Sequence, residues 1–210
     1  KISEKKTWFV SPKVDGLYLE KASECIDEAN KKHGIVLASR GPVNPKDLAQ
    51  GHAFIDKENL LDFFSLATES VILLYSAVEF LTNYSIEKAN NLYYNKRKYS
   101  PIFKLGVIRF ELKKVITLSQ QDILFLSIEE KLKSVLPQHY SCESPSQKTF
   151  WEAFITLKHL RNDVIHATRD KTYGASQAQN SVFAKLLEVD LNKLLADTKK
   201  LLDYIDKNFK

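Results

Sequence analysis

In the segment FWEAFITLKHLRNDVIHA, Arg161 and His166 stand five positions apart, with Asn162 and Asp163 between them. An arginine and a histidine are what metal-independent RNA cleavage needs. The RNA's own 2′-OH attacks the neighbouring phosphorus, so the protein has to move protons and hold charge. Imidazole is the side chain suited to moving protons near neutral pH. A planar guanidinium grips a crowded, negative phosphorane through two parallel hydrogen bonds. The bare spacing is weak, because short motifs recur by chance. The structural alternatives stay open. Arg161 can pair with Asp163, Glu152 or Glu79, and His166 can simply cap a helix end. His159, Asp163 and His166 follow an i, i+4, i+7 order that can line up metal ligands. No fourth ligand is evident, and Lys158 and Arg161 adjoin them, so neither a metal nor a cofactor is expected.

The Arg/His pair falls on a helix expected over Phe150–Ala167, capped by Ser146 or Thr149. Its apolar side is Phe150, Phe154, Leu157, Leu160, Val164 and Ile165. Five residues on a helix separate two Cα atoms by about 140° and ~7.5 Å of rise. One helix therefore aims the pair poorly at one phosphate, and a two-fold homodimer would build a composite site. The strongest periodic segment is Glu58–Glu87, capped by Asp56. Its stripe is Leu60, Phe64, Ala67, Val71, Leu74, Val78 and Leu81, widened by Leu61, Ile72 and Leu73. That width predicts burial on more than one side.

The remaining elements read as helices too. A first helix starts at Ser11-Pro12, turns Leu17, Ala22, Cys25, Ile26 and Ala29 inward, and stops at Gly34. A loop runs to His52, with a short extended piece at Ile35–Ala38. Tyr93–Pro101 reads as a polar, aromatic loop. Ile102–Leu118 reads as a helix with Phe103, Val107, Phe110, Val115 and Leu118 inside. Ser127 opens a helix over Ile128–Leu136 that Pro137 ends. Asp190 caps a last helix with Leu191, Leu194, Leu195, Thr198, Leu201, Leu202 and Ile205 inward. The expected fold is all-α, an antiparallel bundle of roughly five to seven helices.

With this setting, Arg161-Asn162-Asp163-Val164-Ile165-His166 resembles the R-x4–6-H motif of the HEPN superfamily of α-helical bundles. YSAVEFLTNYSIE, with Glu79 and Asn83 one turn apart, resembles the glutamate-bearing long helix of several HEPN families. The likeness covers 56–210; residues 1–55 would be an N-terminal arm, helix and loop packing on that bundle. The resemblance implies a dimer and, for many members, a metal-independent endoribonuclease in toxin–antitoxin or phage-defence systems. It makes Arg161 and His166 the catalytic residues. Asn162, Asp163 and Glu79 would be auxiliary, and an antitoxin or other partner protein would be a binding partner. Other members have lost catalysis and bind nucleic acid, nucleotide or a partner protein, which is the alternative reading.

Charge supports an anionic partner. The formal net charge is only +5. However, Lys88, Lys96, Arg97, Lys98, Lys104, Arg109, Lys113 and Lys114 cluster before Gln121, with Glu111 the only acid among them. Tyr93, Tyr94 and Tyr99 interleave with Lys96, Arg97 and Lys98, a composition that holds single strands by stacking and phosphate contact. Core packing of these tyrosines is the competing reading. RNA-binding candidates are Lys96, Arg97, Lys98, Lys158 and Arg169. A composition of 44% hydrophobic and 27% charged residues is enough to build a core, which excludes general disorder. Two cysteines, Cys25 and Cys142, read as reduced thiols. Together with an N-terminal segment lacking an apolar signal core, they point to a cytoplasmic protein. Unbroken apolar runs are short, so no membrane association is expected.

Overall fold

The computed structural model describes residues 13–38, 57–105, 108–166 and 182–209, and of residues 37, 38, 57 and 97–114 the backbone alone. The elements are α1 (Val14–Ala38), α2 (Lys57–Lys88), β1 (Tyr94–Leu105), β2 (Ile108–Leu118) and α3 (Gln120–Leu124). They continue with a helical run over 128–140 (α4), a 3-10 turn Pro145–Gln147, α5 (Trp151–Ile165), α6 (Val182–Glu188) and α7 (Leu191–Asn208). The class is all-α, a helical bundle with one two-stranded sheet. By contacts the chain divides into two units, Lys1–Val78 with Ala153–Lys199 and Glu79–Glu152 with Lys200–Lys210.

In the first unit, α1 presents Ala22, Cys25, Ile26, Ala29 and Val36 to the core, while Leu17 is exposed. The helix does not stop at Gly34, and Ile35–Ala38, expected to be extended, continues it. A glycine inside a helix costs about 0.5–1 kcal/mol against alanine. Tertiary contacts of the two residues just before Gly34 help to offset that cost. Lys32 Nζ reaches Asp62 at 2.7 Å and Asn59 at 2.9 Å, and His33 stacks on Phe63 at 5.0 Å. Ser11, Pro12 and Asp56, the expected start signals, lie outside the described residues.

On α2, Ala67, Val71, Leu74, Val78 and Leu81 are buried as their spacing predicts. Leu60 and Phe64 are half-buried, and Phe63 takes the buried place beside them. The expected wider stripe fails: Leu61 is 68% and Ile72 37% exposed. By length and average apolarity α2 could cross a membrane. The core helix of a bundle meets the same description.

In the second unit, the structure replaces the expected helix over Ile102–Leu118 and the expected loop before it with an antiparallel hairpin. Tyr94 pairs with Leu118 at its foot and Leu105 with Ile108 at its end, with a register shift between Pro101 and Phe103. The sequence carries the reason. Ile108, Phe110 and Leu112 alternate with Arg109, Glu111 and Lys113, and Val115, Ile116 and Thr117 follow, a β-branched run that favours strand. Ser119 then opens α3 with a reciprocal capping box to Asp122. Gln120 Nε2 donates to the carbonyls of Ile86, Glu87 and Ala89 around the C-terminal end of α2.

Ser127 caps α4 as expected, accepting from the Glu130 N–H. Pro137, however, does not end it. Just before the proline the helix widens to a π segment, Lys131–Val135, with the Leu136 N–H donating to the Lys131 carbonyl. In an α-helix the Lys133 carbonyl would need the N–H that proline lacks. Here Ser144 Oγ donates to it at 3.0 Å. The helix ends at Ser141, in the left-handed region at φ 52°.

Asp190 caps α7 as predicted, its Oδ1 accepting from the Lys193 N–H at 2.9 Å. All seven residues expected to point inward from that helix are buried, from Leu191 to Ile205. In the second unit its end packs Tyr204 on Phe150 at 5.8 Å and on Phe209 at 5.9 Å.

Candidate functional site

The segment that raised the RNA-cleaving chemistry forms the C-terminal end of α5. Phe154, Leu157 and Leu160 bury its inner side. The helix ends at Ile165, two residues short of the expected limit, so His166 is the first residue beyond it. Arg161 is half-buried and His166 exposed.

Four contacts define the arrangement. The Arg161 guanidinium carbon lies over the Tyr75 ring, 5.1 Å from its centre. Tyr75 in turn stacks on Phe154 at 6.5 Å, with ring planes 10° apart. Arg161 Nη1 donates to Asn162 Oδ1 at 3.2 Å, and the His166 N–H donates to the Asn162 carbonyl at 2.9 Å. The second of these bonds joins the His166 backbone to the Asn162 backbone and closes the last turn of α5. A guanidinium has five N–H donors, and one of Arg161's goes to Asn162.

Asp163 is engaged elsewhere. Its Oδ2 accepts from Lys185 Nζ at 2.5 Å, tying the end of α5 to α6. Among the described residues, Arg161 contacts Asn162 and the Tyr75 ring, neither of which is among the acidic partners its sequence suggests. Lys158 is half-buried and already has a partner. His159 is exposed. Arg169 lies outside the described residues. No group of three or more His, Cys, Asp or Glu among the described residues is arranged to hold a metal ion.

Glu79, Lys96, Arg97 and Lys98 belong to the second unit. There Glu79 is half-buried, and its charge acts on Lys131. Lys131 is the least expected residue of the fold, an ammonium 2% exposed at the start of the π segment. Its Nζ donates to Asn83 Oδ1 and to the Leu124 carbonyl, each at 2.7 Å. Burial holds its pKa below the ordinary lysine value, and the nearby Glu79 charge works against that. Lys96 Nζ is paired with Glu130 at 2.8 Å. Arg97 and Lys98 lie on β1, opposite Val115 and Lys114 in register.

Sequence reading missed Tyr75 and Lys131. Tyr75 sits beside the stripe residue Leu74, with no local sign that an arginine from another helix would cover its ring. Lys131 reads as a solvated charge until α2 and α3 are placed around it. Both cysteines are free thiols, Cys25 buried and Cys142 half-buried.

No family model, curated protein or solved structure matches this chain significantly.

Proposed function

We propose that the chain is a metal-independent endoribonuclease of HEPN type, acting as a homodimer in a toxin–antitoxin or phage-defence setting. The observation that carries this reading is the placement of a half-buried Arg161 and an exposed His166 together at the C-terminal end of α5. These are the motif positions that resemble the HEPN site.

His166 moves the protons, taking one from the 2′-OH or giving one to the 5′-oxygen leaving group. Arg161 holds the charge that builds on the phosphorane, and its Tyr75 platform fixes the plane of the fork. The attacking oxygen and the phosphorus form a bond as the phosphorus–5′-oxygen bond breaks. The 5′ fragment therefore ends in a 2′,3′-cyclic phosphate.

The second reading is a non-catalytic HEPN-like dimeric module that binds nucleic acid, nucleotide or a partner protein. The Tyr75–Arg161 contact and the Asp163–Lys185 ion pair favour it, since both give polar residues of the motif region structural duties.

The test compares wild type with His166→Ala, both rigorously purified, on a mixed RNA pool in EDTA. The enzyme reading expects cleavage by wild type and a loss of about 10²–10⁴-fold in the variant. Equal cleavage by both, or none by either, selects the binding module.

A further inference from the structure

The β1–β2 hairpin carries a concentrated net positive charge. Between Tyr94 and Leu118 the sequence has seven basic residues and a single acid, a formal excess of six. The register sets like charges opposite each other twice, Lys98 against Lys114 and Lys104 against Arg109. Such cross-strand pairs destabilise a sheet, and a two-stranded ribbon is marginal on its own. A basic ribbon built this way is complementary to an anion that neutralises both pairs. A second copy of the same ribbon would add charge of the same sign, so self-pairing does not meet that need.

The foot of the ribbon is anchored. Lys96 is paired with Glu130 on α4 at 2.8 Å, and Thr117 Oγ1 donates to Asn95 Oδ1 at 2.8 Å. A cleft of about 660 Å³ separates this foot from α4, lined by Asn95, Lys96, Glu130, Ser134 and Gln138 among others. Exposure at the foot alternates: Asn95, Val115 and Thr117 are exposed, while Tyr94, Lys96, Ile116 and Leu118 are half-buried. By the two-residue period of a strand, positions 97, 99 and 113 share the register face of the exposed set and positions 98 and 114 that of the half-buried set, so basic residues stand on both faces of the ribbon. Twelve residues of strand extend about 40 Å, long enough to run along several phosphates.

We propose that the β1–β2 ribbon is the RNA-docking element of this chain, gripping the phosphate backbone with Arg97, Lys98, Lys104, Arg109, Lys113 and Lys114. The inference rests on RNA as the ligand in the function proposed above. It changes which residues carry the binding: Lys96 serves as the clamp to α4, and the positions beyond it meet RNA. Recognition of this kind follows phosphate positions without sequence readout.

The test uses full-length protein and a fluorescein-labelled RNA stem–loop with single-stranded flanks, titrated by anisotropy across a series of salt concentrations. Four proteins are compared: wild type, His166→Ala, the register-pair variant Lys104→Ser/Arg109→Ser, and the second pair variant Lys98→Ser/Lys114→Ser. Removing a like-charged pair is not expected to lower the unfolding temperature, so the two variants report binding. His166→Ala should bind like wild type. Each pair variant should bind about tenfold or more weakly, with the slope of log K against log salt shallower by about 1.4–1.8. Cleavage by the pair variants should show a raised KM and unchanged kcat. Undiminished affinity and slope in both pair variants overturns the proposal. So does a wild type that binds phosphatidylserine-containing vesicles through these residues but not RNA. Ribbon-dependent binding without cleavage by wild type leaves this proposal standing and defeats the catalytic one. Cleavage indifferent to both pair variants does the reverse.

Discussion

The guanidinium carbon of Arg161 lies 5.1 Å from the centre of the Tyr75 ring. That contact joins α5 to α2 within the first unit and sets where the fork of the arginine sits. A cation over an aromatic face is worth about 0.5–2 kcal/mol, depending on desolvation. If Tyr75 positions Arg161 for catalysis, Tyr75→Leu should lower the cleavage rate by roughly 2–30-fold. Tyr75→Phe, which keeps the ring face, should restore most of it. Equal rates in the two variants would reduce the contact to packing.

Substrate chemistry offers a separate check on the nucleophile. An RNA with a single 2′-deoxy residue at the cut site should be inert, because the attacking group is gone. Mass spectrometry of the cut parent RNA should find the 2′,3′-cyclic phosphate on the 5′ fragment. A 3′-hydroxyl there would mean that another nucleophile attacks.

Buried Lys131 predicts a pH dependence of stability. Its folded-state pKa lies below the unfolded value of 10.5 because burial disfavours the charged form. Below the folded pKa both states hold the proton, and the native state bears the cost of a buried ammonium. Between the folded and unfolded values the unfolded chain binds more protons, so stability rises with pH. Lys131→Met should be less stable at neutral pH by about 1–3 kcal/mol, since Asn83 Oδ1 and the Leu124 carbonyl lose their donor. The gap between wild type and variant should widen as pH rises toward 10.5, measured by denaturant unfolding. A gap that narrows would contradict the direction of the shift.

Ser144 Oγ donates to the Lys133 carbonyl, which Pro137 cannot serve. Ser144→Ala should cost about 0.5–1.5 kcal/mol by leaving that carbonyl without this donor and removing the cap of the 3-10 turn. A thermal melt of the variant measures this. Ser144→Thr, which keeps the hydroxyl, should lie closer to wild type.

The sequence alone determined what depends on neighbours three and four residues away. The stripe from Ala67 to Leu81, the inward face of α7 and the caps Ser127 and Asp190 are all local patterns, and each appears in the structure. Arg161, Asn162 and His166 could also be singled out, because one helix end carries all three. Tertiary structure decided the rest. Ile102–Leu118 contains enough apolar residues for either period, and the pairing of two strands settled it as a ribbon. Gly34 would end an isolated helix, but contacts from Lys32 and His33 carry α1 past it. Pro137 would stop an isolated helix, but Ser144 accepts the role of the missing donor. Lys131 is an ordinary surface residue by type, and only the Asn83 side chain and the Leu124 carbonyl make its burial affordable. The common physical reason is that backbone donors and acceptors can be satisfied by groups distant in sequence, and no local pattern records where those groups will be.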